Sequence, residues 1–186
     1  VPDQETAVVI RAHGVPKSAY DFMEQKGISY IDTTCPFVKK IHNIVQEHEA
    51  LGEQIVIVGD STHPEVIGIN GWGNNKAVIL DSPKTAKEMN FSEKPLCIVA
   101  QTTLNRTLWE QILSVLETWK PNVFDTICNA TKERQTEARD LAKRSDAMIV
   151  IGGRNSSNTK KLADICQEFC PTYLIEQADR LPDLPD

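Results

Sequence analysis

Short continuous runs of apolar and β-branched residues alternate along the chain with longer stretches whose apolar positions recur every three or four residues. The first pattern is that of a strand buried on both faces, the second that of a helix with one buried face. Strands are predicted on this basis near residues 7–11, 28–32, 54–59, 76–80, 96–100, 122–127, 146–151 and 172–175. Helices are predicted near 16–26, 36–50, 64–70, 83–88, 104–119, 130–144 and 157–169. Runs such as Ile55-Val56-Ile57-Val58 and Leu96-Cys97-Ile98-Val99-Ala100 show no polar alternation, so each needs cover on two sides. A strand-then-helix order supplies that cover, and the predicted class is α/β, built from parallel sheets.

Composition narrows the picture further. The 186 residues carry 20 Lys+Arg against 26 Asp+Glu, a formal net charge of −6, which argues against a general nucleic-acid binder because that needs a basic stripe. No apolar run approaches the ~20 residues that cross a bilayer. The five cysteines form no dense disulfide framework and no signal peptide precedes them, which points to a reducing cytoplasm. The chain opens at Val1 without an initiator Met and closes on Leu181-Pro182-Asp183-Leu184-Pro185-Asp186, which reads as a loop. The expectation is an internal piece of a longer protein.

One internal echo is visible. Asp32-Thr33-Thr34-Cys35 and Asp125-Thr126-Ile127-Cys128 share the pattern Asp-Thr-x-Cys, each between a predicted strand and the next helix. A duplicated α/β unit produces such an echo. Polar, chemistry-capable groups also gather after predicted strands, where ligands bind in open parallel sheets. They include Arg11-Ala12-His13-Gly14, Thr33-Thr34-Cys35, Asp60-Ser61-Thr62-His63-Pro64-Glu65, Gln101-Thr102-Thr103, Cys128 with Arg134-Gln135, and Asn155-Ser156-Ser157-Asn158.

Each has a plain structural reading: Ser, Thr and Asn are good helix N-caps, and a free Cys is most often a small buried apolar group. Taken together they describe two imidazoles, hydroxyls, amides and helix N-termini fit to cradle a phosphate or diphosphate. Glu65 stands beside them as a possible proton carrier. Cys35 and Cys128 are potential thiolate ligands to a metal or an iron–sulfur cluster, with a third ligand needed from elsewhere. Cys97 is assigned to the core, Cys166 and Cys170 to paired burial, and Trp72, Trp109 and Trp119 to packing. His42 and His48 are assigned to the surface.

The motifs Arg-Ala-His13-Gly-Val-Pro, Thr-Cys35-Pro-x-Val, His63-Pro-Glu65-Val-x-Gly, Gln101-Thr102-Thr103-Leu, Cys128-x-Ala-Thr-x-x-Arg-Gln and Asn155-Ser156-Ser157-Asn158 occur in that order. Together they resemble the 4-hydroxy-3-methylbut-2-enyl diphosphate reductase (IspH/LytB) family. The resemblance implies a three-lobed α/β fold around a central [4Fe-4S] cluster held by one cysteine per lobe. Cys35 and Cys128 then match two of the ligands, and the third is expected upstream of Val1. By the same resemblance His13 and His63 surround the substrate, and Ser156, Ser157 and Asn158 contact its diphosphate. The resemblance also implies that Glu65 and Thr102 are the catalytic pair. The implied reaction is reductive dehydroxylation of an allylic diphosphate to isopentenyl and dimethylallyl diphosphate in the non-mevalonate pathway, with a ferredoxin or flavodoxin as electron donor. The lobes divide at 1–33, 34–126 and 127–186, the first and last incomplete, so the chain alone is not expected to catalyse. Two rival classes stand beside this one. They are a zinc- or cysteine-dependent hydrolase of a phosphorylated metabolite, and a non-catalytic anion-binding module.

Overall fold

The computed structural model describes residues 7–91, 94–177 and 179; the predicted C-terminal loop lies outside them. Two units are distinguished, Val1–Thr102 with Thr107–Thr126, and Thr103–Arg106 with Ile127–Asp186. In the first, β1 (Val8–Ile10) and β2 (Tyr30–Asp32) form a two-stranded parallel sheet joined through α1 (Lys17–Gln25). After α2 (Pro36–Ala50) comes a four-stranded parallel sheet of β3 (Gln54–Val58), β4 (Val78–Leu80), β5 (Leu96–Ala100) and β6 (Asn122–Phe124). Its spatial order is β4-β3-β5-β6, and α3 (Pro64–Trp72), α4 (Pro83–Glu88) and α5 (Arg106–Leu116) make the crossovers. In the second unit, α6 (Asn129–Ala142), β7 (Met148–Ile151), α7 (Ser157–Gln167) and β8 (Thr172–Ile175) follow in turn, with β7 and β8 parallel. The α/β class read from the alternation of patterns is the fold observed.

Burial explains why the central strands lack polar alternation. Ile55, Ile57, Cys97 and Val99 share one core cluster with Ile41 and Val45 of α2 and Val66 and Ile69 of α3. Val56, Val58 and Ile98 point to the opposite face and are fully buried too, as are Trp109, Ile112 and Leu116 of α5. Cys97 therefore lies in the core, as expected, and so do Cys166 and Cys170, which pack with Ala142 in the second unit. Helix starts follow local chemistry: Pro36, Pro64 and Pro83 each occupy the first turn, where a missing N–H costs nothing. The predicted 104–119 helix begins at Arg106 and finishes as a 3₁₀ turn over Glu117–Trp119, stopped by Lys120 in the left-handed region at φ 47°. Among the described residues no helix is long and apolar enough to cross a membrane.

One helix contact depends on the absence of a side chain. A Cβ built on Gly71 of α3 falls 2.3 Å from Pro16 Cβ and 2.7 Å from Pro16 Cα. Pro16 has little freedom to yield, because it caps α1 and its ring fixes φ. Gly71→Ala is expected to lower unfolding free energy by about 1–3 kcal/mol, measured by urea denaturation; an unchanged midpoint would show that the loop before α1 gives way freely.

Candidate functional site

The strand order β4-β3-β5-β6 sends the chain away in opposite directions from β3 and β5, which opens a crevice beyond their carboxyl ends. Gly59, directly after β3, keeps its floor tight: a Cβ there would meet Gln101 Cβ, Gln101 Oε1 and Val66 Cγ2, each at 2.9 Å. Gln101 is wholly buried, and its Oε1 accepts from the Asp60 N–H at 3.1 Å, bracing the two loops against each other.

Glu65, in the first turn of α3, is 2 % exposed. Its Oε1 accepts from the Thr102 N–H at 2.6 Å and its Oε2 from Thr102 Oγ at 2.7 Å, although 37 residues separate the two. A carboxyl at that depth is tolerable only with such donors. His63 is the N-cap of α3, its Nδ1 accepting from the Glu65 N–H at 3.2 Å, so the neutral ring carries its proton on Nε2. The His13 ring stands edge-on to that of His63, centroids 5.3 Å apart at 74°. The structure thus brings His13, His63, Glu65 and Thr102 together from the ends of β1, β3 and β5.

The Asp-Thr-x-Cys echo has a structural meaning. In the first copy the Thr33 hydroxyl donates to the carbonyl of Ile10, the last residue of β1. In the second, Thr126 Oγ donates to the carbonyl of Ala100, the last residue of β5, at 2.6 Å and accepts from the same residue's N–H at 2.8 Å. Each threonine clasps the end of the neighbouring parallel strand, which also ends β6 at Phe124, short of the predicted 127. The cysteine that follows is in both copies a helix N-cap, Cys35 of α2 at φ −55°, ψ 135° and Cys128 of α6 at φ −61°, ψ 137°. Neither thiol caps its helix, and both are half-buried.

Asp32 secures the first copy. It accepts from the Thr34 N–H at 2.9 Å and Thr34 Oγ at 2.5 Å, and pairs with Lys39 at 2.7 Å. Burial pushes its carboxyl up, but the bonds from Lys39 and Thr34 outweigh this and hold it at about 2, below its ordinary 3.8.

In the second unit Ser156 is the N-cap of α7, its Oγ accepting from the Thr159 N–H at 3.3 Å. Ser157 Oγ lies 3.0 Å from Thr103 Oγ, and Asn158 is half-buried on the same first turn. Buried Gln135 of α6 holds the Thr103–Arg106 segment, donating from Nε2 to the Leu104 carbonyl at 3.1 Å and accepting from the Arg106 N–H at 3.4 Å. Gln101 and Gln135 stood among the polar groups of the sequence but without an assigned role. Their bracing function depends on contacts 41 and 31 residues away.

His42 and His48 correct the surface reading. His48 is mostly buried beside Glu53. His42 is 2 % exposed and stacks on Trp72, centroids 5.0 Å apart at 15°. Trp72 in turn donates from Nε1 to the Val15 carbonyl at 3.1 Å, and the His42 ring fills the space a Cβ on Gly14 (φ 71°) would need. The pair supports the loop that carries His13. Burial depresses the His42 pKa from 6.5 to about 4. The folded protein binds this proton less readily than the unfolded chain, so His42 contributes stability above about pH 6.5 that drains away as pH falls through 4. The full loss is on the order of 3 kcal/mol. Denaturation midpoints recorded between pH 7 and 4 are expected to fall more steeply for the natural chain than for His42→Phe. Parallel curves would remove His42 as the cause.

These features define an α/β protein whose paired imidazoles, buried carboxyl and helix N-cap cysteines stand at the carboxyl ends of parallel strands. Residues 1–184 match the LytB protein family, and the chain belongs to it. It is 52% identical over 177 residues to the 4-hydroxy-3-methylbut-2-enyl diphosphate reductase of Caldanaerobacter subterraneus subsp. tengcongensis, covering 94% of this chain and 61% of that protein. Against the enzyme of the same description from Clostridioides difficile it is 48% identical over 184 residues, covering 97% and 66%. A solved structure of the E-1-hydroxy-2-methyl-but-2-enyl-4-diphosphate reductase from Plasmodium falciparum superposes with a TM-score of 0.91 at 30% identity, over 97% of this chain and 58% of that one. The chain thus spans about three fifths to two thirds of the length of the relatives it matches.

Proposed function

We propose that a protein containing this chain, completed to the length of its relatives, is a 4-hydroxy-3-methylbut-2-enyl diphosphate reductase. The observation that carries the reading is the buried Glu65–Thr102 pair, joined through the His63 cap to His13 at the switch point of the sheet. The substrate's allylic alcohol, two electrons and two protons give water and isopentenyl or dimethylallyl diphosphate. Glu65 is the proton source for the departing hydroxyl, with Thr102 Oγ, 2.7 Å from Glu65 Oε2, contacting the substrate and relaying the proton. His63 and His13 line the site with their imidazoles. Ser156, Ser157 and Asn158, on the first turn of α7, receive the diphosphate, where N–H groups and the helix dipole favour an anion.

Cys35 and Cys128 suit two ligand positions of a [4Fe-4S] cluster: both are helix N-caps of closely similar backbone geometry whose thiols make no capping bond, and thiolates are the usual ligands of such clusters. When bound, the cluster supplies the electrons and a Lewis-acidic iron. A ferredoxin or flavodoxin is the proposed donor and the cytoplasm the proposed compartment. The proposed lobes divide at residues 33 and 126. Separate hydrogen-bonded sheets of two, four and two strands support that reading.

The test is anaerobic iron–sulfide reconstitution of the relatives-length protein, followed by turnover with chemically reduced viologen. Isopentenyl and dimethylallyl diphosphate are the expected products. Hydrolysis of a phosphorylated metabolite by a zinc-loaded, cluster-free protein would replace the reading with the hydrolase, and anion binding without turnover would replace it with the binding module.

A further inference from the structure

A second cluster of ligand-type side chains lies at the opposite, amino-terminal end of the central sheet. Glu53 immediately precedes β3, Cys97 is the second residue of β5, and Asn122 opens β6. His48 sits in the last turn of α2. One ligand atom from each of His48, Glu53 and Cys97 lies within 4.8 Å of the other two. We propose that these three residues form a binding site for one zinc-class divalent cation, independent of the reductase reading.

The site is built in advance by the backbone. Helix α2 ends with the Gly52 N–H donating to the Glu49 carbonyl at 2.9 Å and the Glu53 N–H to the His48 carbonyl at 3.0 Å. That pair of bonds is a Schellman motif, which needs a left-handed residue at Gly52, here at φ 81°. The motif sets His48 and Glu53 side by side, with Nδ1 and Oε2 2.9 Å apart and their side chains only 14% and 10% exposed. His48 Nδ1 is buried and makes no hydrogen bond of good geometry. Both residues are fixed from behind. Asn122 Nδ2 donates to Glu53 Oε1 at 3.0 Å and to Oε2 at 3.2 Å, and Phe124 packs edge-on against the His48 ring with centroids 4.9 Å apart. Metal sites characteristically have this kind of supporting contact to an imidazole or carboxylate ligand.

Charge and donor type select the cation. A thiolate and a carboxylate balance the charge of a divalent ion, the imidazole adds a third ligand and leaves one tetrahedral position to water, and a sulfur ligand disfavours magnesium and calcium. Without a cation the Cys97 thiol stays protonated, because burial and then the Glu53 carboxylate push it up to about 12. Tetrahedral zinc separates its ligand atoms by about 3.3–3.6 Å. No separation exceeds 4.8 Å, so none has to close by more than about 1.5 Å.

The test is titration of the metal-free chain with cobalt(II), a spectroscopic stand-in for zinc, in the natural sequence, His48→Gln and Cys97→Ala. Cys35, Cys128, Cys166 and Cys170 are common to all three, so difference spectra isolate this site. The natural chain is expected to bind one more equivalent than either variant, with a thiolate-to-cobalt charge-transfer band in the difference spectrum. Asn122→Ala is expected to weaken that equivalent about 10–100-fold. His48→Gln alters the last turn of α2, outside the buried core cluster, so it answers the question even where Cys97→Ala unfolds. Equal stoichiometry and identical spectra in the natural chain and His48→Gln would overturn the proposal.

Discussion

Glu65→Gln in the relatives-length protein is expected to lower kcat by about 10²–10⁴-fold, the range over which a positioned acid acts. The variant is chosen to remove the proton and little else. Glutamine keeps the shape of the side chain, its Oε1 still accepts from the fixed Thr102 N–H, and the Thr102 hydroxyl can rotate to accept from the new Nε2. Iron content, unfolding temperature and affinity for the diphosphate are therefore expected to stay near those of the natural protein. Glu65→Ala is a different experiment. It strands the buried Thr102 N–H, which adds about 1–3 kcal/mol of destabilisation to any catalytic loss. A Glu65→Gln enzyme within threefold of the natural kcat would take the proton-donor role from Glu65.

Cys35→Ser and Cys128→Ser, each alone, are expected to abolish cluster binding in the same protein, with iron and near-visible absorbance falling to background after anaerobic reconstitution. The fold should survive. Both thiols are half-buried and neither makes a capping bond, while serine is itself a preferred N-cap. Far-ultraviolet circular dichroism should be unchanged, and the unfolding temperature equal to or slightly above that of the cluster-free natural protein. Cys97→Ser, by contrast, replaces a fully buried sulfur packed in the core by a smaller atom, so it should lower stability while leaving the iron content unchanged. Retention of iron by Cys35→Ser or Cys128→Ser would remove that cysteine from the ligand set.

The stability of His42 and the chemistry of Glu65 illustrate how far a sequence can be read. Both sit in helices that periodicity predicts. Glu65 follows a strand end with a histidine two residues before it, a local signal. His42 gives none: its neighbours Trp72 and Gly14 come from separate segments, and helical spacing alone does not say that a second helix covers that face. The burial of His48 is hidden from the sequence for a related reason. Its partner Glu53 is near in sequence, but Cys97, Asn122 and Phe124 reach it only across the sheet.

The alternation of apolar runs with amphipathic stretches determined the α/β class, because a strand without polar positions has to be covered on both faces. The placement of Pro36, Pro64 and Pro83 determined where three helices begin, because proline's missing N–H is harmless only in the first turn. The position of polar groups after strands marks the end of the sheet to which the proposed reaction is assigned. Tertiary structure alone decided which of those groups meet. The order β4-β3-β5-β6 makes β5 the neighbour of β3 although β4 lies between them in the chain, and that crossover delivers Thr102 to both oxygens of Glu65. Local chemistry has no means of encoding that choice, because it is set by which pairing of whole strands buries the most apolar surface.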